Sequence, residues 1–146
     1  MPNETIQKLG YPQNVLAEYP HWTVLLRGVQ NTAGCLVLAC NEEAETLPAV
    51  SAAAFAELPT VTRDLEGVLR AAFSFDKINY LLLMMVDKHV HFHVLPRYAT
   101  SRSFEGVEFR DAGWPRAPAL GESAQVPEDV FRKLHAHLKE RWPATT

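Results

Sequence analysis

The chain has 146 residues, 47% of them apolar, enough for one domain with a sizeable core and too few for two. Its 14 Lys and Arg stand against 17 Asp and Glu, a formal net charge of -3. That balance excludes the overall basic field that holds duplex nucleic acid. Cys35 and Cys40 lack the close spacing of a zinc knuckle or a redox dithiol, and the apolar run from Tyr80 to Val86 is far shorter than the ~18 residues of a membrane span. With no basic segment ahead of an apolar stretch at the N-terminus, the expectation is a reduced, soluble, cytoplasmic protein without membrane partners.

Residues 1–14 read as an N-terminal extension. WTVLLR (22–27) and CLVLAC (35–40), separated by the turn GVQNTAG, predict a β-hairpin. Ser51 is a candidate N-cap for a long helix in which Phe55, Leu58, Leu65, Val68, Leu69 and Ala72 recur at helical spacing. Pro59 is expected to kink or split that helix. KINYLLLMMV (77–86) and KHVHFHVLPR (88–97) predict a second pair of strands, joined by a tight turn near Asp87, with Met84 and Met85 as packing residues.

From Ser101 to Ala124, Arg102, Arg110 and Arg116 interleave with Phe104, Phe109 and Trp114, but Glu105, Glu108 and Asp111 interrupt the positive charge. A loop folded over the sheet, with Trp114 as its packing anchor, fits better than a surface for single-stranded nucleic acid. Pro127 suits the first turn of a C-terminal helix striped by Val130, Phe131, Leu134 and Leu138, and His135 and His137 are expected on its solvated side. The class is α+β with an antiparallel sheet, a core over residues 15–100, and a C-terminal loop and helix, 101–146, packed on it.

Three of the six histidines, His89, His91 and His93, fall within five residues. On one strand they share a face with Leu95, at ~6.7 Å between neighbouring Cα positions, while Val90, Phe92 and Val94 take the other face. Three readings compete. One is a solvated strand face that carries histidine by chance. Another is a metal site, which needs a third ligand from elsewhere, and nearby carboxylates are scarce, with Asp87 in the turn and no Glu between Glu66 and Glu105. The last is nucleophilic catalysis at phosphorus. An imidazole of ordinary pKa, ~6.5, offers a free lone pair at neutral pH and splits one displacement into two through a covalent nucleotidyl intermediate. Flanking imidazoles would donate hydrogen bonds where charge builds up on oxygen.

HVHFHVL, residues 89–95, followed by Pro96 and Arg97, resembles the signature of the histidine triad superfamily of nucleotide hydrolases and transferases, among them the bacterial-type diadenosine polyphosphate hydrolases. The order of elements is similar from about residue 15 to residue 98. The resemblance implies an antiparallel sheet of about five strands with one long helix and a C-terminal helix, associated as a homodimer. It implies His91 as the nucleophile, with His89 and His93 supporting the phosphate and the leaving group. The implied substrates are dinucleoside polyphosphates or nucleoside phosphoramidates, with no required cofactor and at most a divalent cation accompanying a polyphosphate.

The family's Gly-Gln-Ser or Gly-Gln-Thr loop is replaced by Met84, Met85, Val86, Asp87 and Lys88, leaving Lys88 as a point charge for phosphate. The family's Gly-His segment corresponds to Gly34 and Cys35, and its ribose-binding residue falls near Arg27. Arg97, which extends the histidine face, and Asn79, on the neighbouring strand, complete the candidate substrate contacts. The replaced polar groups motivate an alternative of another class, a catalytically degenerate nucleotide-binding or regulatory protein on the same fold. A metal-binding protein using the histidine strand is the remaining one.

Overall fold

The computed structural model describes residues 2–144. The chain opens with α1 (Glu4–Lys8), capped by Asn3, whose Oδ1 accepts from Ile6 N at 2.9 Å. β1 (Val15–Glu18), β2 (Trp22–Leu26) and β3 (Leu36–Cys40) then form an antiparallel meander, and the hairpin expected at 22–40 is present, with Trp22 opposite Cys40 and Leu26 opposite Leu36. Every residue of β2 and β3 is buried, so these strands are apolar on both faces because both faces are covered. Between them Gly34 holds φ at +83°, and a side chain there would meet Leu69 at 2.9 Å, which leaves glycine as the residue that fits.

α2 (Ala52–Phe73) starts where the sequence places it, with Ser51 Oγ accepting from Ala54 N at 3.1 Å. It lays Ala54, Val61, Leu65, Val68, Leu69 and Phe73 on the sheet, and the indole of Trp22 donates to its Ala54 carbonyl at 2.8 Å. Of the kink or split expected at Pro59, the split does not occur: the helix runs unbroken from Ala52 to Phe73, and Phe55, whose carbonyl loses its partner to the proline, is an exposed residue. Phe55 is 40% exposed and lies outside the buried stripe.

β4 (Lys77–Leu81) and β5 (His91–Arg97) close a five-stranded antiparallel sheet in the order β1-β2-β3-β5-β4. The strands are shorter than the sequence suggested, and residues 82–90 form a loop in place of a tight turn at Asp87. The cause is a competing tether: Val90 N donates to Ala44 O at 2.9 Å while its carbonyl accepts from Cys40 N at 3.0 Å, drawing the chain toward β3 and away from β4. Without a partner strand, Met85 and Val86 are 82% and 87% exposed, and Met84 is exposed too, so the expected packing of Met84 and Met85 does not occur.

β6 (Arg102–Phe104) and β7 (Val107–Phe109) make a small hairpin through Glu105 and Gly106, both at positive φ as a two-residue loop demands. α3 (Glu128–Glu140) buries Val130, Phe131, Leu134 and Leu138 as expected. His135 is not a solvated residue: its Nε2 donates to the Val15 carbonyl at 2.7 Å, tying α3 to β1. Trp114 is only half-buried, and Phe109, 1% exposed, takes the core position expected of it.

What anchors the C-terminal segment is a buried ion pair. Arg97 spans both oxygens of Asp111, at 2.7 and 3.0 Å, and Tyr98 N donates to the same carboxylate at 3.0 Å. Burial pushes the Asp111 carboxyl up, but Arg97 and the Tyr98 N–H outweigh it and hold the group below the usual carboxylate range. The pair's stabilisation is therefore complete above about pH 4 and is lost as pH falls below that value. Asp111→Ala strands a buried guanidinium and is expected to cost about 3–5 kcal/mol at neutral pH, read from urea unfolding, with the deficit shrinking in acid.

Candidate active site

β5 alternates its side chains, so His91, His93, Leu95 and Arg97 share the face opposite the α2 core. On that face His91 lies opposite Ala39, and His93 sits between Val37 of β3 and Leu81 of β4. α1 covers the same side of the sheet, with Ile6 packed among Val15, Leu25, Val37 and Ala39. The two imidazoles meet edge to face, 5.1 Å between centroids at 84°.

Their hydrogen bonds assign their protons. His91 is 2% exposed, and its Nδ1 lies 2.8 Å from the His89 carbonyl. A carbonyl only accepts, so Nδ1 carries the hydrogen and Nε2 keeps a free lone pair. His93 has the opposite tautomer, because Arg27 Nε donates to its Nδ1 at 3.1 Å, which places the proton on Nε2. Burial, then the charges of Arg27 and His91, lower the His93 pKa to about 4, so this ring is neutral at physiological pH. Arg27 is itself held by the Val29 carbonyl at 2.9 Å and by Asn31 Oδ1. One ring thus offers a lone pair and its neighbour an N–H, the complement a phosphoryl group needs.

His89 departs from the expectation of three imidazoles on one strand. It precedes β5, in the 82–90 loop, and is 2% exposed. Its Nδ1 lies 3.0 Å from Thr5 Oγ1 and its Nε2 2.8 Å from Glu43 Oε2, so both ring nitrogens are taken within the protein. Sequence reasoning missed Thr5 and Glu43, and no local pattern signals them: Thr5 lies 84 positions from its partner.

The remaining candidates separate. Arg97 and Asn79 share the histidine face of the sheet, but Arg97 Nη1 donates to Asn79 Oδ1 at 2.9 Å and its other donors are taken by Asp111 and the Arg116 carbonyl, so both belong to the C-terminal anchor. Cys35 is fully buried, its thiol donates to the Thr32 carbonyl at 3.4 Å, and burial pushes its pKa up, so it serves the 28–34 loop. Lys88 is exposed and pairs with Glu4 at 3.4 Å, while Lys8 pairs with the other Glu4 oxygen at 3.2 Å. Lys8 also lines a cavity of about 320 Å³ that opens beside His93, with Leu9, Arg27, Val29 and Val37. Among the described residues no group of three or more His, Cys, Asp or Glu is arranged to hold a metal ion, and no helix is long and apolar enough to cross a membrane.

No family model and no curated protein matches the chain. Solved structures do match. A histidine triad protein from Sinorhizobium meliloti, 19% identical, superposes with a TM-score of 0.72 over 97% of this chain and 96% of its own. A histidine triad protein from Marinobacter aquaeolei, 21% identical, gives 0.68 over 93% of each chain. A zinc-bound histidine triad family protein from Mycobacterium smegmatis, 18% identical, gives 0.59 over 92% and 90%. The chain therefore has the histidine triad fold.

The Arg27 contact makes a measurable claim. In Arg27→Gln, the His93 titration followed by NMR is expected to move up from about 4 toward, but not to, its ordinary value, because burial, the larger cause, remains.

Proposed function

We propose that this protein is a nucleotide hydrolase that cleaves a nucleoside phosphoanhydride, of the dinucleoside polyphosphate type, through a nucleotidyl intermediate on His91. The supporting observation is the bond from His91 Nδ1 to the His89 carbonyl, which leaves Nε2 free as a nucleophile without a separate base. In the first step Nε2 bonds to phosphorus and the bond from phosphorus to the leaving oxygen breaks, with the electron pair departing on that oxygen. In the second, water attacks the same phosphorus, the P–N bond breaks, a mononucleotide leaves, and a proton goes to solvent. The nucleoside would occupy the cavity beside His93, against Leu9, Val29 and Val37.

His93 supports an anhydride over a phosphoramidate. Its single ring proton, on Nε2, can hydrogen-bond a departing oxygen, but giving that proton away would leave an imidazolate. A phosphate-type leaving group departs as an anion and needs no proton, whereas an amine does. Diadenosine tetraphosphate is accordingly expected to turn over faster than adenosine 5′-phosphoramidate, and the reverse order would count against this assignment. His91→Ala should lower turnover by about 10³ or more and abolish the nucleotide label that wild-type protein retains after alkaline denaturation, where a P–N bond survives, while leaving the fold intact. Retained activity would refute the nucleophile.

A second reading, nucleotide binding without turnover, draws on the 84–88 segment, where exposed Met85 and Val86 stand in place of polar groups. Label trapping on wild-type protein separates the two. We also propose a homodimer: β4 is an unpaired sheet edge, and beside it Leu58, Tyr80 and Phe92 line an apolar groove of about 230 Å³. Sedimentation equilibrium should give the mass of two chains, falling to one in Leu58→Arg.

A further inference from the structure

We propose that Thr5 and Glu43 are positioning residues that hold His89 so that its carbonyl fixes the tautomer of His91. The inference rests on the reading of His91 as the nucleophile. Three hydrogen bonds converge on His89. Its backbone N–H donates to Thr5 Oγ1 at 3.0 Å, which uses the hydroxyl as an acceptor and frees its own proton for His89 Nδ1, also at 3.0 Å. Glu43 Oε2, 2.8 Å from Nε2, only accepts, so Nε2 carries the ring proton. Backbone and ring are thus tied at both ends, and the carbonyl between them lies 2.8 Å from His91 Nδ1.

This residue needs such a clamp because it is outside the regular sheet. β5 begins at His91, so no ladder of strand hydrogen bonds fixes His89. The clamp's two arms come from separate parts of the chain, Thr5 from α1 and Glu43 from the segment after β3, and a single side chain sets their spacing. Asn3 caps α1 with its Oδ1 and donates from Nδ2 to the carbonyls of Cys40, at 2.9 Å, and Glu42, at 3.0 Å. The N-terminal helix is therefore part of the catalytic centre although it contributes no group to the reacting atoms. With both ring nitrogens engaged, His89 acts through its carbonyl, unlike the phosphate contact that the resemblance implied.

The test uses the full chain with Thr5→Val, Thr5→Ser, Glu43→Ala and Glu43→Gln. In ligand-free protein, long-range ¹H–¹⁵N spectra report the tautomers of His89 and His91. With diadenosine tetraphosphate as the probe, rapid quench reports formation of the nucleotidyl enzyme. Thr5→Val and Glu43→Ala are expected to convert His91 from one tautomer to a mixture and to slow nucleotidylation by about 10- to 100-fold, with KM within about threefold of wild type. Thr5→Ser and Glu43→Gln each keep the needed group and should restore both readouts. Glu43 is 78% exposed, so its variants carry the test even if Thr5→Val does not fold. A His91 tautomer unchanged in Glu43→Ala, or a rate loss that only tracks the folded fraction, would overturn the proposal. If wild-type protein forms no nucleotidyl enzyme, the assigned reaction fails, and the tautomer spectra still decide the clamp.

Discussion

A single hydrogen bond, from His91 Nδ1 to the carbonyl two residues before it, sets the chemistry open to this site. Imidazole has two nitrogens of nearly equal basicity, and a buried ring free to exchange tautomers would present a lone pair to its surroundings only part of the time. A backbone carbonyl removes that ambiguity without adding a charge. The sheet presents the ring, α1 covers that side of the sheet, and the segment before β5 carries the carbonyl. Each depends on the others, since a shift in any one would lengthen a contact that is at ideal distance.

The electrostatics of the site rely on fixed protons more than on net charge. The chain is acidic overall, so long-range attraction does not bring an anion here. Arg27 supplies positive charge against His93, and its hydrogen bonds to Val29 and Asn31 keep the guanidinium oriented while burial lowers its pKa from the ordinary value. Glu4, with a lysine on each oxygen, neutralises part of what Lys8 and Lys88 offer, and at such exposed positions these pairs contribute little to stability and separate readily. The phosphate of the proposed substrate would therefore have to be recognised by local groups presented at short range.

Much of this was legible in the residues themselves. The hairpin of β2 and β3, the Ser51 cap, the α3 stripe and the pairing of His91 with His93 follow from period and propensity, which are local properties. Where local signals compete with tertiary ones they fail. LLLMMV looks like strand, yet Leu82 to Val86 have no partner strand because Val90 is tethered to Ala44, and His89 falls in the loop ahead of β5 and not on the strand its spacing suggested. Pro59 looked disruptive because the exposure of Phe55, whose carbonyl it leaves unpaired, depends on which way the helix faces. Arg97 read as a phosphate ligand because its acidic partner, Asp111, lies beyond an intervening hairpin. The Thr5 and Glu43 contacts join segments far apart in sequence, and only the folded sheet brings them to one ring.

The 82–90 loop also decides which sulfur atoms face solvent. Cys35 and Cys40 are both buried and free, and burial raises the pKa of each thiol, which disfavours the reactive thiolate. The sulfur in contact with solvent, among the described residues, is instead in the thioethers of Met84 and Met85. An oxidant therefore meets methionine before cysteine, and the product is a sulfoxide, polar and enzymatically reversible, in place of a disulfide. Such a change would make an apolar loop hydrophilic a few residues ahead of His89 while leaving the buried imidazoles untouched.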